Sequence, residues 1–271
     1  MSAAAPATAP QGNLDISGTP QVSMTTLAKV ELRKALDTRA GLWFVVAILG
    51  LVVVIEVIYS FAAADGDKNF QDYVQIPAFT LGYFLPIIII MLVTSEASQR
   101  NGLVTFTLEP RRPRVVGAKF MAGVALAVAV MVLALVLAVV GTVLGMVTGG
   151  PSPDWSVDGN LLFNGFVLAN LIGVFIGFAI AMLIMNTPGA IVAYFVYSLI
   201  LPIAVGILGA LVGWFEDVAP WIEFNTAQVP LFQGDFTPSG EEWAQIATSG
   251  FIWLVVPLAL GIGRLLRIEF K

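Results

Sequence analysis

Apolar residues in this chain gather into long runs separated by short polar stretches, and no run shows the strict alternation of a half-buried strand. The runs extend from Gly41 to about Ala64, from Ile76 to Ser95, from about Val115 to Val147 and from about Leu161 to Met185. A fifth follows the Asn186-Thr187-Pro188-Gly189 turn and ends near Gly213; a sixth starts at the capping-box pair Ser239 and Glu242 and ends before Arg264. A hydrocarbon layer needs about 20 apolar residues in a helix. The pattern predicts an all-α integral membrane protein with six transmembrane helices. The third run, at roughly 30 residues, is longer than a span requires, so tilt or an extension beyond the bilayer must take up the excess.

Polar stretches divide the rest. In residues 24–39 Met24, Leu27, Ala28, Leu32 and Ala35 fall on one side of a helical wheel, with Lys29, Arg33 and Asp37 opposite, which predicts an interfacial amphipathic helix. A surface helix of a small soluble cap is the alternative, but the next apolar run leaves no room for a cap. Residues 1–23 read as a disordered tail rather than a signal peptide, because residues 1–22 hold no Lys or Arg and no apolar run. Gly149-Gly150-Pro151-Ser152-Pro153 breaks the third helix. Residues 214–243 are too polar to span yet carry Trp214, Phe215, Trp221, Phe224, Phe232 and Phe236, as at a headgroup boundary, and are expected to form short or re-entrant helices.

Composition agrees: 58% of the 271 residues are hydrophobic and 11% charged, too few ionic side chains to clothe a soluble fold of this size. Histidine and cysteine are absent, which removes the usual zinc ligands, thiol nucleophiles, disulfides and imidazole shuttles. Charge matters by side rather than in total. Lys29, Arg33, Lys34, Arg39, Arg100, Arg111, Arg112, Arg114, Lys119, Arg264, Arg267 and Lys271 fall on one predicted side, and only Lys68 on the other. The positive-inside rule makes that side cytoplasmic, with both termini there, in the plasma (inner) membrane. Most acids, among them Asp65, Asp67, Asp72, Glu216, Asp217 and Glu223, fall in the external loops.

The strongest local signal is residues 96–114: Glu96, then Arg100-Asn101-Gly102, a short apolar stretch to Leu108, then Glu109-Pro110-Arg111-Arg112, with Lys119 opening the next helix. Leu103, Phe106 and Thr107 share one helix face, Pro110 stops the helix, and the arginines offer forked donors to acidic partners. A positive-inside loop touching only lipid headgroups is the simpler reading of such a segment.

This arrangement resembles the type-2 ATP-binding-cassette (ABC) permeases, the six-span exporter subunits, from about Thr25 to Lys271. The resemblance implies one permease domain over 24–271, with a coupling helix at Gly102–Leu108 seated in a groove of a separate cytoplasmic ABC ATPase subunit. Arg100, Gly102, Leu103, Phe106, Glu109, Arg111 and Arg112 would couple to it. It also implies a second permease copy or a paralogue as partner, with ATP and Mg held by the ATPase subunit and no cofactor in this chain. No Lys here has the Gly before it and Ser or Thr after it that a phosphate-binding loop needs, so this chain is expected not to be an enzyme. Nothing in the sequence suggests nucleic acid as a partner.

Within the spans Glu56 stands out as the one ionisable residue well inside a run, about 22 Å of helix rise beyond Gly41. An acid there is a candidate for a gate or path, and equally for a hydrogen bond to a neighbouring helix. Asn164, Asn170 and Tyr197 offer hydrogen bonds to a substrate from the fourth and fifth spans, with interhelical bonding the alternative for Asn170. Gly141 with Gly145, Gly173 with Gly177, and Gly209 with Gly213 are pairs suited to close helix contact, and Pro86, Pro202 and Pro257 are expected kinks. Sparse polarity along the spans favours a hydrophobic or amphipathic cargo. A self-contained secondary transporter or channel would need a coupling acid, for which only Glu56 applies. An intramembrane enzyme acting on lipid lacks clustered acids at one depth.

Overall fold

The structure is a computed structural model and describes residues 21–64, 67–98, 111–149, 155–232 and 238–267, with the side chains of 96–98 left aside. The described residues form helices and no strand. Six helices are long and apolar enough to cross a membrane, so the chain is a multi-pass membrane protein.

Local chemistry sets the first boundaries. The Ser23 hydroxyl accepts the Thr26 N–H at 3.1 Å and opens α1 (Met24–Asp37). Thr38 ends α1 and caps α2 (Arg39–Ala62): its hydroxyl donates to Ala35 O at 3.0 Å and accepts the Gly41 N–H at 3.1 Å. A Cβ on Gly41 would run into the Ala35 carbonyl, so this tight junction depends on glycine. Along α2 the buried residues are Ile48, Val52, Glu56 and Ser60, one per turn. Much of the rest of α2 is open apolar surface, with Trp43 67% and Phe61 71% exposed, which suits a helix solvated by lipid.

The helix α3 (Phe70–Ser98) begins at Phe70 rather than Ile76, because its first turns carry the polar Gln71, Asp72 and Gln75 without losing helical geometry. It is the hub: 61% of its most apolar stretch is buried, against 22% for α2, and it packs on α2, α4, α5 and α6. The helix α4 (Arg112–Val147) has 36 residues, about 54 Å of rise, and so exceeds a hydrocarbon core of about 30 Å.

The remaining spans each contain a wide, π-type turn. In α5 (Leu161–Ile184) it covers Leu161–Leu168, in α6 (Thr187–Leu211) Val196–Ile200, and in α9 (Gly240–Arg267) Phe251–Val255. Pro202 and Pro257 lie just beyond two of these turns. A proline lacks an N–H and collides with the carbonyl one turn back, and a local widening relieves both problems. Met185, left-handed at φ 53°, closes α5, and the Asn186 side chain accepts the Gly189 N–H at 2.9 Å to start α6. Between α6 and α9 lie the short helices α7 (Gly213–Ile222) and α8 (Phe224–Ala227) and a 3-10 turn at Val229–Phe232. The Ser239 and Glu242 capping box is formed in both directions.

Close helix contacts use small residues. A Cβ on Gly177 would sit 2.9 Å from Pro86 O, and one on Gly173 would be 3.2 Å from Pro86 Cγ. On Gly145 it would meet Tyr73 Oη at 2.5 Å, and on Gly261 the Met182 carbonyl carbon at 2.5 Å. The Gly209 and Gly213 pair is different: Gly209 packs on the Glu216 side chain, whereas Gly213 already belongs to α7, where a Cβ would meet open space.

Among the described residues the charges separate by end. Lys29, Arg33, Arg39, Arg111, Arg112, Arg264 and Arg267 share the end where Arg264 donates to Leu183 O at 3.1 Å and Arg112 donates to Leu265 O. Asp72, Asp158, Glu216, Asp217, Glu223 and Glu241 share the other, where the Asp158 N–H donates to Gln71 Oε1 at 3.1 Å.

Candidate functional site

Three constellations combine polar groups with burial. At the basic end Glu31 sits in the middle of the buried face of α1, and its Oε2 meets Lys119 Nζ of α4 at 2.8 Å. Its Oε1 meets Lys34 Nζ at 2.6 Å, and Lys119 also reaches Leu92 O of α3 at 3.4 Å. Burial pushes the Glu31 carboxyl up, but the charge and hydrogen bond of Lys119, joined by those of Lys34, outweigh it and hold the group below the ordinary carboxylate range. Sequence reading placed Lys119 among exposed cytoplasmic cations, whereas only 4% of it is exposed. Glu56 is therefore not alone, since Lys119 too is a buried ionisable residue on a spanning helix. Glu31 was missed: the signal was an acid between Leu27 and Ala35 on the apolar stripe, one turn from each.

The second constellation surrounds Glu56, 3% exposed, where α2, α3 and α4 meet. Its Oε1 has no hydrogen-bond partner, and its Oε2 would lie 2.9 Å from a Cβ on Gly141. One turn on, the Ser60 hydroxyl donates to Glu56 O at 2.8 Å and accepts from the Tyr73 hydroxyl at 2.7 Å. Thr148 donates to Ser60 O at 2.7 Å, fastening the end of α4 to α2.

The third is a cleft of about 610 Å³ between α3, α5, α6 and the 3-10 turn, opening from the acidic end towards mid-span. Phe79, Phe166, Ile172 and Ile176 supply apolar walls, and Gln71, Gln75, Asn225 and Gln228 bring amides. Tyr194 and Tyr197 line it from α6; the Tyr194 hydroxyl donates to Gly82 O at 2.8 Å, and the Tyr197 ring stacks 5.0 Å from Trp253. Ser198 also lines it, with a buried Oγ that has no hydrogen-bond partner. None of the lining residues is charged.

The residues singled out from sequence thus separate. Tyr197 lines the cleft. Asn170 instead ties helices, donating to Phe166 O at 2.7 Å and to Ala78 O of α3 at 3.4 Å. Asn164 is 1% exposed, with Oδ1 unpartnered, and is not part of the cleft lining. Glu56 belongs to the other side of α3. Arg100, Gly102, Leu103, Phe106 and Glu109 lie outside the described residues, as does the whole Gly102–Leu108 helix. Of its flanking arginines Arg111 is exposed, with Nη1 donating to Gln21 Oε1 at 3.0 Å, whereas Arg112 turns inward to the end of α9. Tyr194 and Ser198 were missed, although with Tyr197 they form a polar stripe at helical spacing on an otherwise apolar run.

Among the described residues no cluster of acids could hold a metal ion. The chain matches no known protein family and no curated protein.

Proposed function

We propose that this chain is the transmembrane permease subunit of an ATP-driven exporter of the type-2 ABC class. A hydrophobic or amphipathic cargo leaves the cytoplasm or inner leaflet through a pair of permeases, this chain with a second copy or a paralogue. A cytoplasmic ABC ATPase subunit binds ATP and Mg and supplies the work. The basic end faces the cytoplasm with both termini, α1 lies in the interface, and 213–232 faces outward with its short helices dipping into the bilayer edge.

The observation that carries this reading is the mounting of residues 96–114. The segment joins the two most deeply engaged helices, α3 and α4, and the foot of α4 is clamped to α1 through Lys119 and Glu31. A push delivered there reaches the centre of the bundle along stiff helices. Phe106→Asp is expected to abolish copurification of the ATPase and ATP-dependent transport while the permease still inserts. Retention of both would remove the coupling role.

One observation favours a second reading, a self-contained secondary transporter: the unpartnered carboxylate oxygen of Glu56. Proton flux through proteoliposomes without ATP, abolished by Glu56→Gln, would select it.

A further inference from the structure

We propose that the cleft between α3, α5 and α6 is a binding site for a neutral amphiphile, an alkyl chain carrying a hydroxyl or amide head. The site is intrinsic to one copy of the chain and needs no motor, so it stands or falls separately from the exporter reading.

Size and chemistry carry the proposal. At about 610 Å³ the cleft falls within the range of small-molecule sites, roughly 300 to 1,000 Å³. Its lining has no Asp, Glu, Lys or Arg, so nothing there compensates a charged head drawn out of water. The polar groups are hydroxyls and amides, and the Gln71 side chain marks the wet end by also accepting the Asp158 N–H at 3.1 Å. Deeper in, the walls are Phe166, 1% exposed, and Ile176, 0% exposed, which suit an alkyl chain.

Two features point to an occupant rather than a packing defect. Ser198 Oγ is buried, has no partner and lies on the lining, an arrangement that costs stability unless a ligand completes it. It sits in the wide turn Val196–Ile200, where the backbone departs from α geometry, a device common at functional sites. Gly82 and Gly165 face the cleft from opposite helices, and a Cβ on either would meet nothing within 4 Å. The other tight glycines, Gly141, Gly145, Gly177 and Gly261, are accounted for by helix contact. These two are not, and they keep the space open.

The test uses the purified chain in phosphatidylcholine nanodiscs with a diazirine-bearing monoacylglycerol, mapping the cross-links by mass spectrometry. Labelling is expected at residues 161–176 and 225–232 and should be competed by excess unlabelled monoacylglycerol. Gly82→Leu and Gly165→Leu, on separate helices, should each cut that labelling at least tenfold in folded protein. Ser198→Ala should weaken it by about three- to tenfold without lowering thermal stability, as expected for one hydrogen bond made only to ligand. A diazirine-bearing fatty acid at pH 9 and an alkyltrimethylammonium probe should label poorly. Labelling spread evenly over exposed apolar surface such as Trp43 and Phe61 and resistant to competition would mean ordinary lipid contact and overturn the proposal. So would labelling unchanged by both glycine substitutions, or equal labelling by the charged probes.

Discussion

Lys119 on α4 and Glu31 on α1 form an ion pair at 2.8 Å with side-chain exposures of 5% and 7%. Two charges in that setting cost desolvation energy and recover it only through their mutual geometry and added hydrogen bonds. Here those come from Lys34 and the Leu92 carbonyl. The pair fixes where an otherwise peripheral helix lies against the bundle.

Removing one partner should therefore hurt more than removing both. Lys119→Met, which strands Glu31, is expected to cost about 3 to 5 kcal/mol. The double substitution Lys119→Met with Glu31→Leu should recover most of that loss. Thermal unfolding in nanodiscs measures both, and spin-label distances between α1 and α4 report whether α1 detaches.

Acid should release the same contact. Because the folded Glu31 carboxyl titrates below the unfolded value of 4.5, its contribution is fully present above that value. It is lost as pH falls through the lower folded value. An α1–α4 spin-label distance should stay constant above about pH 5 and lengthen in more acid solution. In Glu31→Gln the contact should be weakened at every pH and that acid step absent.

Two glycine contrasts test the helix contacts. Gly261→Ala puts a methyl 2.5 Å from the Met182 carbonyl carbon, whereas Gly263→Ala, on the same helix, meets nothing within 4 Å. The first should destabilise by about 1 to 3 kcal/mol. The second should be neutral or slightly stabilising through helix propensity. Gly145→Ala belongs with the first, since it displaces the Tyr73 hydroxyl from Ser60.

Orientation is checked by labelling single cysteines, which this chain lacks naturally. Ser239 is a poor site because its hydroxyl caps α9; the exposed Glu241 beside it is better. Glu241→Cys should react with an impermeant maleimide from outside, and Lys29→Cys only after the membrane is opened. The reverse pattern would overturn the proposed topology.

The spans were legible because a bilayer sets their length, and hydrophobic runs report that length directly. The turn at Asn186 and the cap at Ser239 were legible because each works through atoms within three residues. The partnership of Glu31 was not, as the lysine that neutralises it lies 88 residues away. Nor were the empty faces of Gly82 and Gly165, since a glycine that keeps space open and one that lets helices touch look identical in sequence. The wide turns left only a trace, in Pro202 and Pro257.

Those wide turns have a consequence for how the chain tolerates change. A turn closed by an i→i+5 bond, such as Leu201 N–H to Val196 O or Val256 N–H to Phe251 O, holds one residue more than an α turn. Deleting one residue there would restore ordinary winding and rotate everything beyond it by about 100°. In α9 that rotation would swing Gly261 off Met182 and put a bulkier neighbour in its place. Each wide turn thus acts as a phase shift between two halves of a helix, so that the outer half can serve the cleft and the inner half the bundle without sharing one register.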